Sequence, residues 1–226
     1  MEIFLSLLAV AAAAAVLYLP VIGTYLSTFH TLVHECGHAA AALLTGGHVS
    51  SISLFSSREG AAGTRHHKPG LLITSLAGYP FASIVSVLFI YGLSLDWFAG
   101  LGLCLLGLLL FSLFFWIRNP FGVFWVLSLL GGGLLVWYYE WFQVLETVLS
   151  AGGLVLLVQA FISCWHVFLL SFRRPEQAGD ASILARITFI PTPIWGIFFL
   201  GQGIVFFGWG LLLWTGVPVS DLTTWL

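Results

Sequence analysis

The chain has 226 residues, of which 60% are hydrophobic and only 7% are charged, seven Lys/Arg against nine Asp/Glu. A soluble domain carries about 25% charged residues to wet its surface, so this surface faces something other than water, and a mean hydropathy of +1.06 agrees. The class is a polytopic, all-α membrane protein; soluble enzymes and disordered scaffolds are excluded, and a net charge of −2 leaves no basic footprint for nucleic acid.

A membrane span needs about 20 apolar residues. Runs bounded by charges, Gly and Pro predict spans near 3–19, 22–45, 70–92, 97–117, 121–139, 147–172 and 194–215, seven in all, with six as the alternative count. The N-terminus has no basic n-region, so the first run reads as a retained span rather than a cleaved signal. The second run is the least apolar because it holds His30, His34, Glu35 and His38. The longest polar stretch, residues 46–70, follows it; loose alternation from His48 to Phe55 and a Gly60–Gly63 turn predict a short β-hairpin over 47–66 on the cytoplasmic face. The glycines at 131–133, 196, 201 and 203 suit close helix packing in lipid. Nothing repeats and no soluble domain is appended, so residues 1–226 read as one integral-membrane domain. Cys36, Cys104 and Cys164 are odd in number and sit in apolar runs, which reads as reduced thiols.

Loop charge gives an independent test. The loops after the second, fourth and sixth spans hold Arg58, Arg65 and Lys68, then Arg118, then Arg173, Arg174 and Arg186, which is every basic residue in the chain. The opposite side holds Asp96, Glu140, Glu146 and Asp221. The positive-inside rule then predicts a cytoplasmic N-terminus and an outer C-terminus.

Residues 34–38 read His-Glu-Cys-Gly-His. Positions i and i+4 of a helix lie about 40° apart, so His34 and His38 can bind one metal, and Glu35 flanks that face as zinc hydrolases require. Zinc brings the pKa of a bound water toward about 7, and the carboxylate takes the proton and later delivers it to the leaving amine. Cys36 points about 200° from His34 and is no ligand. Ionisable residues inside a membrane are costly and usually functional. The motif starts about 11 residues, roughly 16 Å, from the cytoplasmic end of its helix.

His34–His38, followed by Ala-Ala-Ala-Ala-Leu-Leu-Thr-Gly-Gly, resembles the site-2 protease family of intramembrane zinc metallopeptidases, and most closely a compact bacterial branch without a PDZ domain. Ala77-Gly78-Tyr79-Pro80, Arg118-Asn119-Pro120-Phe121-Gly122, Gly179-Asp180-Ala181, Leu184-Ala185-Arg186-Ile187-Thr188 and Pro191 extend the likeness. It implies one Zn2+ per chain held by His34, His38 and Asp180, Glu35 as catalytic base, and Asn119 assisting at the reacting carbonyl. The family's Leu-Asp-Gly and full Asn-x-x-Pro-x-x-x-x-Asp-Gly patterns are missing. The implied substrate is a transmembrane protein segment, locally unwound and paired with the 47–66 hairpin, and a regulatory membrane partner is expected.

Other readings stay open. Asp180 is a ligand or the N-cap of a helix starting at Ala181. His166, near the cytoplasmic end of the sixth span, is a helix-packing residue or the third ligand, and His30 orients a ligand or makes a simple polar contact. His48, His66 and His67 read as solvated loop residues, and Arg118, Arg173 and Arg174 as markers of the interface. Glu140 and Glu146 lie on the wrong side to be ligands. Two rival functions are a non-proteolytic membrane scaffold retaining a structural metal, and a metal or proton transporter, which needs further ionisable residues in the outer half.

Overall fold

The computed structural model describes residues 2–57, 59–65 and 67–217; Arg58, His66 and Asp221 lie outside the described residues. Helix α1 (Glu2–Leu17) leads into α2 (Pro20–Leu44), then come strands β1 (His48–Leu54) and β2 (Gly60–Arg65). Helices α3 (Lys68–Ser94), α4 (Phe98–Phe115), α5 (Pro120–Tyr138) and α6 (Phe142–Arg173) follow. A 3-10 turn (Pro175–Gln177) leads to the short α7 (Asp180–Thr188) and the last helix, α8 (Thr192–Thr215).

Proline in the first turn starts α2, α3, α5 and α8, where its missing N–H leaves no helical bond unmade. Arg118 closes α4: its guanidinium donates to the carbonyls of Leu113, Phe114, Phe115 and Ile117. Those terminal carbonyls have no helical partner, which explains a charge at this edge beyond its marking the interface.

Among the described residues five helices, α3, α4, α5, α6 and α8, are long and apolar enough to cross a membrane singly. The expected count of seven is not confirmed. Helices α1 and α2 meet at 107° across Tyr18–Leu19 and qualify only as a bent pair, which gives a sixth. The residue before Pro20 is disfavoured in helical conformation, and Leu19 is extended, with φ −66 and ψ 136. Helix α1 runs alongside α6, with Ala13 and Leu17 packed on Leu154, Val155 and Val158. Its start lies at the end of α8, where Trp214 Nε1 donates to the Ser6 carbonyl at 3.2 Å. Its last residue, Leu17, lines a cavity with Ala178 and Gly179. The start of α1 and the end of α8 therefore lie together, at the opposite end from α7. Two separate spans at 3–19 and 22–45 would have put them apart.

A hairpin forms within residues 46–70 as expected, but its turn falls between Leu54 and Gly60; Gly60–Gly63, read from the sequence as the turn, belong to β2. Strands β1 and β2 are antiparallel, with Ile52 opposite Ala62 and Leu54 opposite Gly60. The outer edge of β1 is occupied by the α4–α5 corner: the Ile52 N–H donates to the Trp116 carbonyl at 2.8 Å, and Ile52 bridges Ile117 in parallel. Helix α2 is the centre of the molecule, packed on α3, α6 and both strands.

Candidate metal centre

The central half of α2 carries an unusual load of buried polar residues: Ser27, Thr28, His30, Thr31, Glu35 and His38. The hydroxyls look after themselves by donating to carbonyls one turn back, Ser27 to Gly23, Thr28 to Thr24 and Thr31 to Ser27. The histidines and Glu35 instead face a cavity of about 450 Å³, lined also by Gly60, Ala62, Tyr79 and Asp180.

Asp180 arrives from the other end of the sequence. Gly179 has φ +53, a left-handed conformation in which glycine has no steric penalty, and it turns the chain so that α7 begins at Asp180 with its carboxylate toward α2. Asp180 Oδ2 lies 3.3 Å from His34 Nε2 and 3.3 Å from His38 Nε2, and the two Nε2 atoms are 3.0 Å apart. Of the two sequence readings of Asp180, the structure supports the one beside the histidines: Gly179 holds the cap position, and no side-chain cap bond is made. Burial alone would raise the Asp180 carboxyl, but the facing His38 and His34 imidazoles hold it below the usual carboxylate range, so it is anionic at neutral pH.

The donor set fits a metal ion. A tetrahedral zinc bound at about 2.0–2.1 Å spaces its ligand atoms roughly 3.3 Å apart, close to the triangle formed here. The tautomer of His38 is set for ligation, because Nδ1 is 2.7 Å from the Thr74 carbonyl, to which it donates, leaving Nε2 to the site. Space is provided too: a Cβ on Gly78 would stand 2.6 Å from both His34 Cε1 and His38 Nε2. The Tyr79 ring packs edge-on against His34, with centroids 4.6 Å apart.

Glu35 is buried on the same wall, and its carboxylate accepts the backbone N–H of Ala62 on β2. Gly60 lies close as well: a Cβ there would be 2.6 Å from Glu35 Oε1. Cys36 faces away, its sulfur 3.9 Å from the Ser112 hydroxyl on α4. His30 lines the cavity one turn before His34, with ring centroids 6.1 Å apart. His30 Nε2 and His34 Nδ1 are both buried without a protein partner among the described residues. His166 lines the neighbouring cavity, not the one holding the triangle. Asn119 also lies apart from it. Its Oδ1 accepts the Leu54 N–H at 3.1 Å, and its Nδ2 donates to the Leu54 carbonyl.

Sequence reasoning gave no role to Gly78, Tyr79 or the Thr74 carbonyl. Gly78 and Tyr79 stood in a family-like tetrapeptide, which was the available signal; a backbone carbonyl leaves none.

The family model for Peptidase M50B-like proteins matches residues 7–210. No curated protein and no solved structure matches the chain. With a match over most of its length and a His34/His38/Asp180 group able to hold a metal, the chain belongs to the M50B-like peptidases, the site-2 protease family of membrane metallopeptidases.

Proposed function

We propose that the protein is a zinc-dependent intramembrane endopeptidase that hydrolyses peptide bonds in or near the transmembrane segments of other membrane proteins. The observation carrying this reading is the triangle of His34, His38 and Asp180 with Glu35 beside it in one cavity. His34, His38 and Asp180 would hold the ion, which when bound polarises the scissile carbonyl and acidifies the attacking water. Glu35 takes the proton of that water and passes it to the departing amine. The hydrogen bond from Ala62 orients the Glu35 carboxylate while it waits. Among the described residues three protein groups rather than four converge, which favours a catalytic site over a structural one and weighs against the scaffold reading.

The substrate must present an extended strand, because a helix engages its own carbonyls. Strand β2 offers an edge: Gly60 and Ala62 lie opposite Leu54 and Ile52, whose N–H groups point away from β2. Their own backbone groups point to the cavity by the same alternation. An unwound segment pairing there adds a strand beside Glu35.

The site lies on the cytoplasmic side of a plasma membrane in this reading, because the basic loops flank it. The start of α1, beside the end of α8, then stands with the C-terminus on the outer face, as six spans require. Replacing Glu35 with Gln tests the reading: cleavage of a transmembrane substrate is lost while zinc stays bound. Cleavage at the parent rate by that variant contradicts it.

A further inference from the structure

The resemblance places Asn119 at the reacting carbonyl, yet both polar atoms of its side chain are engaged with the backbone of Leu54. The surroundings say what that engagement does. On β1, Ile52 and Leu54 turn their N–H groups away from β2, Ile52 toward the Trp116 carbonyl and Leu54 toward Asn119 Oδ1. In an antiparallel pair, the residue opposite an outward-facing one also faces outward. Ala62, opposite Ile52, accordingly sends its N–H to Glu35, and Gly60, opposite Leu54, lies against the Glu35 carboxylate. The hairpin is thus a plank with one edge nailed down and the other resting on the general base. Residues 116 and 117 make the first rung of the nailed edge. The chain then turns at Pro120 into α5 and has no further strand to give. The Asn119 amide, whose C=O and N–H₂ copy a peptide group, supplies the second rung.

We infer that Asn119 is a positioning residue: it completes the β1 edge so that Gly60 and Ala62 are held against Glu35 at the rim of the cavity. The inference deepens the peptidase reading and rests on it for its kinetic consequences, but the clamp itself is testable without activity. Asn119 does not line the cavity that holds the metal ligands. Its loss leaves His34, His38 and Asp180 untouched, because none of them is on the hairpin.

The test uses the full-length protein in detergent with stoichiometric zinc, as parent and as Asn119→Ala. Hydrogen exchange at the Leu54 amide and the 60–64 amides is expected to quicken about tenfold or more, the effect of losing one or two hydrogen bonds, with zinc content and exchange in α2 unchanged. With a fluorogenic transmembrane peptide that the parent cleaves, kcat falls by a similar factor. An Ile52→Cys/Ile117→Cys disulfide, built in a Cys104→Ser background across the bridged pair next to Asn119, re-anchors β1 by another route. Oxidising it in the Asn119→Ala protein restores most of the lost kcat. Unchanged exchange in Asn119→Ala overturns the inference. So does a loss of kcat that the oxidised tether leaves in place, because that result puts Asn119 on the reacting carbonyl. If the parent fails to cleave at all, the peptidase reading fails and the exchange measurement still judges the clamp.

Discussion

Helices α2 and α4 are each long enough to be read as spans, and they differ in a way that inverts the intuition from soluble proteins. Helix α4 is the most apolar of the candidate spans, and most of its residues are left uncovered by protein. Helix α2 is the polar one. Within residues 27–42 only Phe29, His34 and Ala40 fall short of full burial. In lipid, an apolar surface needs no protein cover, whereas a histidine or carboxylate does. The helix that scores worst as a span is the one around which the others assemble.

The contrast can be broken most severely at Glu35. Glu35→Gln is expected to lower cleavage by about 10²–10⁴-fold, the usual contribution of general-base catalysis, whereas Glu146→Gln at the start of α6 leaves the rate unchanged. A transmembrane peptide assay with metal analysis of both proteins measures this. The next largest effect falls on the metal. Asp180→Asn keeps the shape but removes the charge, and Gly78→Val drives a side chain into both imidazoles, so each is expected to weaken zinc affinity at least tenfold. Gly107→Val on α4, where an added Cβ meets nothing within 4 Å, keeps full affinity; competition with a chromogenic chelator reads all three. Smaller again is stability. Leu32→Ala, fully buried in α2, is expected to cost about 2–5 kcal/mol. Leu103→Ala, 68% exposed on α4, stays within about 0.5 kcal/mol. Unfolding in mixed micelles measures both, and equal costs would mean that α4 is covered by protein.

How much was legible in the sequence follows from the same contrast. The lipid-facing helices α3 to α6 and α8 stood out as apolar runs, and the hairpin stood out because residues 46–70 break that pattern. The His34/His38 pair was readable because an i, i+4 relation is fixed by helix geometry alone. The placement of Asp180 beside them, 142 positions beyond His38, was implied by the family likeness; no local pattern reports a tertiary contact. The 107° corner between α1 and α2 was not legible, because Leu19-Pro20 reads equally well as a loop between two spans. The Asn119 contact with Leu54 was not legible for a related reason: an amide can serve a substrate carbonyl or a neighbouring strand, and the sequence does not say which is nearer.

The central claim is that His34, His38 and Asp180 hold one metal ion at an open site. X-ray absorption at the zinc edge of the purified, full-length protein tests it most directly. The account predicts one zinc per chain with two imidazole nitrogens and oxygen donors at about 2.0–2.1 Å, and loss of that signal in His34→Ala, His38→Ala and Asp180→Ala alike. A zinc that survives Asp180→Ala with its coordination unchanged, or one ligated by sulfur, would contradict it.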